Sequence, residues 1–229
     1  MNRLLDIKAF EGVKETTLDH LWQEGTERDV RTNQILIHAH EPVPSLYFIL
    51  KGKVIYYNLT KAGKRKIIFI LGEGALINET ITRGTKPSIY CETIEPCRIF
   101  QVDKLLFQQL MMKDRTLMEA AFRMLETKLS RAGHQLKNTM GSIYLERKLA
   151  AKLWKLARDF GVDTPEGRMI DINMSMTFLG DLMGAPRETT SRLCKTLTDY
   201  GLISIKKRKV YIPDVDRLSK FYCEGLDGV

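Results

Sequence analysis

Short apolar runs punctuated by turn residues fill the chain from about residue 30 to 103. Residues 35–37, 46–50, 54–57, 66–71, 89–91 and 98–100 are rich in Ile, Val, Tyr and Phe, and Gly-, Pro-, Asn- and Lys-containing segments separate them. Many short strands at this spacing predict a β-sandwich or barrel. From residue 114 to about 140 the period changes. There is no proline and one glycine, and apolar residues recur at Met118, Phe122, Leu125, Leu129, Ala132 and Leu136, with Thr139 and Ile143 continuing the register. Spacings that alternate between four and three residues describe a heptad seam on one long helix. Packing on the chain's own sheet is the competing explanation, but a stripe of two positions in seven is narrower than a sheet-packed helix needs. The seam therefore predicts a coiled-coil partner, most simply a second copy of the chain.

Beyond residue 142 the pattern is that of a small helical domain. A helix is expected from about Ile143 to Phe160 (Leu149, Leu153, Leu156), closed by Gly161. A turn at 164–167 and a strand at 169–172 follow. Ser175 is placed to cap a short helix carrying Leu179, Leu182 and Met183, although Phe178 occupies the position where a capping box would have Glu. Gly184 supplies a sharp turn and Pro186 suits the opening of the next helix. Two short helices joined by a glycine turn form a helix-turn-helix.

The second of these helices, from Arg187 to about Tyr200, carries two stripes. Thr190, Leu193, Cys194 and Leu197 follow helical spacing and belong inside. Glu188, Ser191, Arg192 and Lys195 follow it two residues earlier, about 200° around the helix, with Arg187 at the helix start. Arginine can fork onto guanine O6 and N7, glutamate accepts from cytosine N4, and serine serves base or phosphate. The following segment, 201–213, alternates apolar residues around Lys206-Lys207-Arg208-Lys209, which predicts a hairpin with a basic tip lying along phosphates.

Charge sharpens this picture. The 229-residue chain has a net charge of +8 and a pI near 9.3, which favours a polyanionic partner. Between residues 186 and 212, seven basic residues face two acidic ones, a net of +5. Double-stranded DNA is the expected partner. No apolar run approaches the length of a membrane span, and the N-terminus lacks a signal peptide pattern, so a cytoplasmic, non-membrane protein is expected. The four cysteines, Cys91, Cys97, Cys194 and Cys223, form no CxxC pair, and Cys194 reads as a buried core residue. No nucleophile–base pair or metal-ligand set is evident, so no metal site, no catalytic residue and no enzyme activity are expected.

The segment Arg187-Glu188-Thr189-Thr190-Ser191-Arg192-Leu193 resembles the recognition helix of the cyclic-AMP receptor/FNR (Crp/Fnr) superfamily of bacterial regulators, and the resemblance extends over nearly the whole chain. It implies an α+β protein: an N-terminal β-roll of the cyclic-nucleotide-binding type (a double-stranded β-helix, residues 1–113), a dimerisation helix (114–141) and a C-terminal winged helix-turn-helix (142–229). It implies a homodimer that binds palindromic DNA through Arg187, Glu188, Ser191, Arg192, Lys195, Lys207 and Arg208, with a central GA in each half-site, and that works with RNA polymerase. The alternative is a cyclic-nucleotide-binding sensor module acting through a protein partner.

The sensor side departs from the family's best-known members. Gly72-Glu73-Gly74 resembles the opening of the phosphate loop, but Pro87 stands where the resemblance leads one to expect the phosphate-clamping arginine. Ala132 and Gly133 stand near positions that carry hydroxyls for adenine in cyclic-AMP binders, so cyclic AMP is not expected. An iron–sulfur cluster is not expected either, because no cysteine precedes Cys91. His38 and His40 read as loop residues rather than haem ligands. The expected effector is a small organic molecule, lined by Glu73, Leu76, Lys86, Ser88, Tyr90 and Leu129. It would act through a hinge at 137–142, including Gly141.

Overall fold

The computed structural model describes residues 2–82, 86–137 and 144–225, and of residues 135–137 only the backbone. The expected hinge and the seam positions Leu136, Thr139 and Ile143 therefore lie outside the described residues or side chains. The chain divides into two compact units, one formed by residues 1–63 and 67–134, the other by 64–66 and 135–229.

In the first unit, strands β1 (Thr26–Val30), β3 (Ser45–Lys51) and β7 (Cys97–Asp103) form an antiparallel sheet in the order β1-β7-β3. Strands β2 (Ile35–Ile37), β4 (Val54–Leu59), β5 (Arg65–Leu71) and β6 (Tyr90–Thr93) form a second sheet, β2-β6-β4-β5. Successive side chains of a strand point to opposite faces, and both faces of the first sheet are covered. Tyr47, Ile49 and Ile99 pack with Val54, Tyr56 and Cys91 of the second sheet. Leu46, Phe48, Phe100 and Val102 pack against helices. This explains why β3 is a continuous apolar run rather than an alternating one.

The covering helices are elements the hydrophobic pattern did not disclose: α1 (Glu15–Glu24) and α2 (Lys104–Lys113). Leu18 and Leu21 of α1 and Phe107 and Leu110 of α2 are buried around Phe48. Helix α3 follows, described from Arg115 to Lys137, and the remainder of the expected helix lies outside the described residues. Its Leu117, Ala120 and Ala121 are buried in the same cluster, so the helix packs on its own unit as well as carrying the seam.

Asp114 fastens the start of α3. Its carboxylate accepts from the Thr116 amide at 2.9 Å and hydroxyl at 2.7 Å, and from the Thr17 hydroxyl of α1 at 2.6 Å. Burial raises the Asp114 carboxyl, but these hydrogen bonds outweigh it and hold it below the usual carboxylate range. A carboxylate depressed in the folded state contributes stability above its unfolded value of about 3.9, and that contribution is lost as pH falls through the lower folded value. Stability of the wild-type protein is expected to fall below about pH 4, with a shallower fall in Asp114→Asn. Melting curves from pH 7 to 3 check this, and parallel curves for the two proteins would contradict it.

The second unit holds α4 (Leu145–Phe160), β8 (Gly161–Thr164), β9 (Gly167–Ile170), α5 (Met176–Met183), α6 (Arg187–Asp199), β10 (Ser204–Lys206), β11 (Lys209–Ile212) and α7 (Val215–Glu224). The sheet order is β10-β11-β9-β8. The strand expected at 169–172 lies at 167–170 and pairs with β8, which alternation had not signalled. Gly167 has φ of +105°, and a Cβ there would sit 2.3 Å from the Ile212 carbonyl oxygen. Only glycine admits so close an approach of β9 to β11. Helix α7 packs Leu218 and Phe221 into the unit, and Arg147 of α4 donates to the carbonyls of Tyr222 and Cys223.

Candidate nucleic-acid interface

Ser175 caps α5 as its position suggested, its Oγ accepting from the Phe178 amide at 3.1 Å. Helix α5 ends at Gly184, whose φ of +67° makes the left-handed turn. Pro186 is the N-cap of α6 rather than its first helical residue, with an extended ψ of 150°. The Thr190 hydroxyl closes back onto the Pro186 carbonyl at 3.0 Å. These local features set α6 against α5, with Thr190, Cys194 and Leu197 buried.

The opposite side of α6 is entirely exposed: Arg187, Glu188, Ser191, Arg192 and Lys195 all reach solvent. Among the described residues, none of these five side chains makes a hydrogen bond or ion pair within the protein. A row of charged and hydroxyl groups held on a rigid helix and left uncommitted is chemistry available to an external partner. Arg187 also lines a cleft of about 380 Å³ together with Met174, Ser175, Met176, Thr177, Ile205 and Arg208. The starts of α5 and α6 and the wing thus enclose one groove.

The wing is the β10–β11 hairpin, with Lys206 paired to Lys209 and Lys207-Arg208 as its two-residue turn. Its four basic residues are not equivalent. Lys206 pairs with Glu166, and Lys209 Nζ lies 2.7 Å from Asp171 Oδ1. Lys207 and Arg208 make no such pair among the described residues, so the tip presents two uncompensated cations. Both have positive φ, 47° and 63°, the type I′ geometry that normally selects Asn-Gly. Left-handed backbone costs an L-residue about 1–2 kcal/mol, so two long cations here exchange stability for charge at the tip. Lys207→Asn combined with Arg208→Gly is expected to raise the melting temperature. It should weaken DNA binding evenly across sequences, with a salt dependence shallower by about two charges per wing. An unchanged salt slope would show that the tip does not touch phosphate.

The six residues expected to line an effector site differ in burial and in partners. Leu76 is 5% exposed and packs in the core with Phe48. Glu73, Lys86 and Ser88 are exposed. Tyr90 stacks on Tyr57 at 5.2 Å, and Leu129 is 74% exposed. Pro87 is buried, its carbonyl accepting from the His40 amide at 2.7 Å.

A different residue enters the β unit. Lys128 of α3 donates to the Tyr56 hydroxyl at 3.1 Å, to Glu79 Oε2 at 2.9 Å and to the Ile77 carbonyl. Burial lowers the Lys128 ammonium from its usual range, and the Glu79 carboxylate opposes this. The signal was present: Leu117, Ala121, Met124 and Lys128 form a second stripe on α3, so a lysine continues a row of apolar positions.

The seam expected to dimerise lies beside that stripe. Phe122 is 57% exposed, and Met118, Leu125 and Ala132 are half-buried, Leu125 against the unit's own core. Cys91, Cys97 and Cys194 are buried, and burial pushes all three thiols up, the last two to about 11. Among the described residues no three His, Cys, Asp or Glu gather to hold a metal ion, and no helix is long and apolar enough to cross a membrane.

Comparison with known proteins accounts for both units. Residues 27–114 match the cyclic nucleotide-binding domain, and residues 147–221 match the Crp-like helix-turn-helix domain. The chain is 27% identical over 180 residues to the cAMP-activated global transcriptional regulator CRP of Haemophilus influenzae, covering 77% of this chain and 79% of the relative. Its fold matches FixK2 from Bradyrhizobium japonicum with a TM-score of 0.74 at 22% identity, covering 85% of this chain and 96% of the other. It matches the c-di-GMP responsive global regulator CLP of Xanthomonas campestris with a TM-score of 0.75 at 16% identity, covering 88% and 100%. With a cyclic nucleotide-binding domain ahead of a Crp-like helix-turn-helix domain, the chain belongs to the Crp/Fnr superfamily of transcription regulators.

Proposed function

We propose that the protein acts as a homodimer, reads a palindromic operator through α6 and the wing tip, and is controlled by a small organic effector other than cyclic AMP. The observation that carries the DNA reading is the uncommitted outer row of α6, backed by the buried row that anchors it. Arg187, Glu188, Ser191 and Arg192 combine residues of two half-site specificities, so the expected half-sites share a central GA. Phe122 and Leu129 on α3 support association with a second copy, since an isolated helix gains nothing from exposing two large apolar side chains on one seam. Two recognition helices about 34 Å apart could then hold successive half-sites, with RNA polymerase as the downstream partner.

The effector reading rests on the sensor unit. Pro87 is buried with its carbonyl committed to the His40 amide, and a proline lacks the guanidinium fork that binds phosphate bidentately. Little thermal stabilisation by cyclic AMP is expected, and a large saturable one would overturn this part. Selection of duplexes from a random pool, followed by sequencing, tests the operator. Recovery of inverted repeats with a GA core is expected, and recovery of unrelated sequences would remove the proposal.

A further inference from the structure

Lys128 is a cation largely withdrawn from solvent that the DNA reading leaves unused. Two of its three acceptors belong to buried groups: the hydroxyl of Tyr56, itself 3% exposed, and the carbonyl of Ile77, fully buried. The third is Glu79, whose side chain is 43% exposed against 15% for Lys128. The fixed acceptors come from the scaffold, and the counter-ion comes from the surface. A buried ammonium demands an anion, because removing its partner leaves a charge that the interior solvates poorly. Glu79 regains water when it swings away, so it is the replaceable member of the group.

The Tyr56 hydroxyl accepts from Lys128 and, among the described residues, has no acceptor for its own hydrogen. An anion that displaces Glu79 from Nζ therefore meets a second donor. The charged groups acting on neighbouring Cys91 include one cation, Lys128, and two carboxylates, Glu79 and Glu92. Exchanging Glu79 for a monoanion keeps that balance, whereas a dianion adds a further negative charge beside Glu92. The walls are apolar and aromatic: the Tyr56 ring, whose centroid is 4.7 Å from Nζ, with Ile77 and Cys91.

We infer that Lys128 and Tyr56 form the anion-receiving end of the effector site, taking the carboxylate of a small organic monoacid in place of Glu79. This rests on reading the β unit as effector-responsive. Lys128 adjoins Leu129 of the seam, so the exchange of its partner acts directly on the helix expected to dimerise.

The test uses the full chain, with sodium benzoate and sodium acetate compared against sodium chloride at matched ionic strength. Benzoate is expected to raise the melting temperature saturably. Glu79→Gln removes the competing carboxylate and should lower the half-saturating concentration about three- to tenfold. Lys128→Gln should abolish the shift, and Tyr56→Phe, which keeps the ring, should weaken it if the lysine variant folds poorly. A shift that survives both substitutions, or no saturable shift with either acid in wild type and Glu79→Gln, overturns the inference. DNA binding measured on the same proteins keeps the two readings apart: an absent acid response beside intact operator binding removes this inference alone.

Discussion

Replacing Phe122 and Leu129 by aspartate is expected to leave a folded monomer that has lost most of its affinity for a palindromic duplex. Both side chains are mainly exposed, 57% and 74%, so the substitutions remove little from the unit's own core. Helix α3 remains anchored by Leu117, Ala120 and Ala121, which point into the cluster around Phe48 and Phe107. Two carboxylates per chain on a shared seam would face their copies across an apolar interface, where like charges repel and desolvation is unfavourable. Without the dimer, the second half-site is no longer bound at high effective concentration, and the loss is on the order of 10²- to 10⁴-fold. Light scattering gives the mass, circular dichroism the fold, and fluorescence anisotropy the affinity. A variant that stays dimeric, or a monomer that holds the palindrome as tightly as wild type, would show that this face of α3 is not the interface.

Arg192→Ala is expected to remove sequence discrimination while leaving the protein as stable as before. Arg192 is exposed and forms no ion pair or hydrogen bond through its side chain among the described residues, so the native fold loses nothing when it is truncated. A bidentate arginine–guanine contact contributes about 1–3 kcal/mol of discrimination. Two half-sites double this, giving a fall in specific affinity of at least about 30-fold, with additivity expected for well-separated positions. Non-specific binding, expected to depend on Lys207, Arg208 and Lys195, should weaken far less. Unchanged operator affinity in this variant, with the dimer intact, would mean that the outer row of α6 is not the reading surface.

The two predictions bear on different links. The first asks whether α3 brings two chains together, the second what each chain reads once there. Neither depends on the identity of the effector, so both can be settled on the protein without ligand if it retains measurable affinity.

The helix-turn-helix was legible in the chain because its determinants are local. Capping by Ser175, the left-handed turn at Gly184 and the opposed stripes of α6 each involve residues within a few positions of one another, and helical periodicity alone separates Thr190, Cys194 and Leu197 from Glu188, Ser191 and Arg192. Helix α3 was legible for the same reason, as was the run of strands before it.

Other features needed the tertiary structure. Helices α1, α2 and α7 became necessary only because the first sheet of the β unit has a second apolar face to cover and α4 a flank to bury. The neutralisation of Lys206 by Glu166 and of Lys209 by Asp171 joins residues about 40 apart in sequence, so a uniformly basic tetrapeptide resolves into two structural and two available cations only once β9 and its neighbours are in place. Lys128 is the sharpest case. On the chain it only continues the apolar stripe of Leu117, Ala121 and Met124, and the crossing of α3 over Tyr56 and Glu79 makes it a buried charge in need of a partner. Local periodicity determined which row of α6 faces solvent, whereas burial, which depends on the whole fold, decided where a charge is costly.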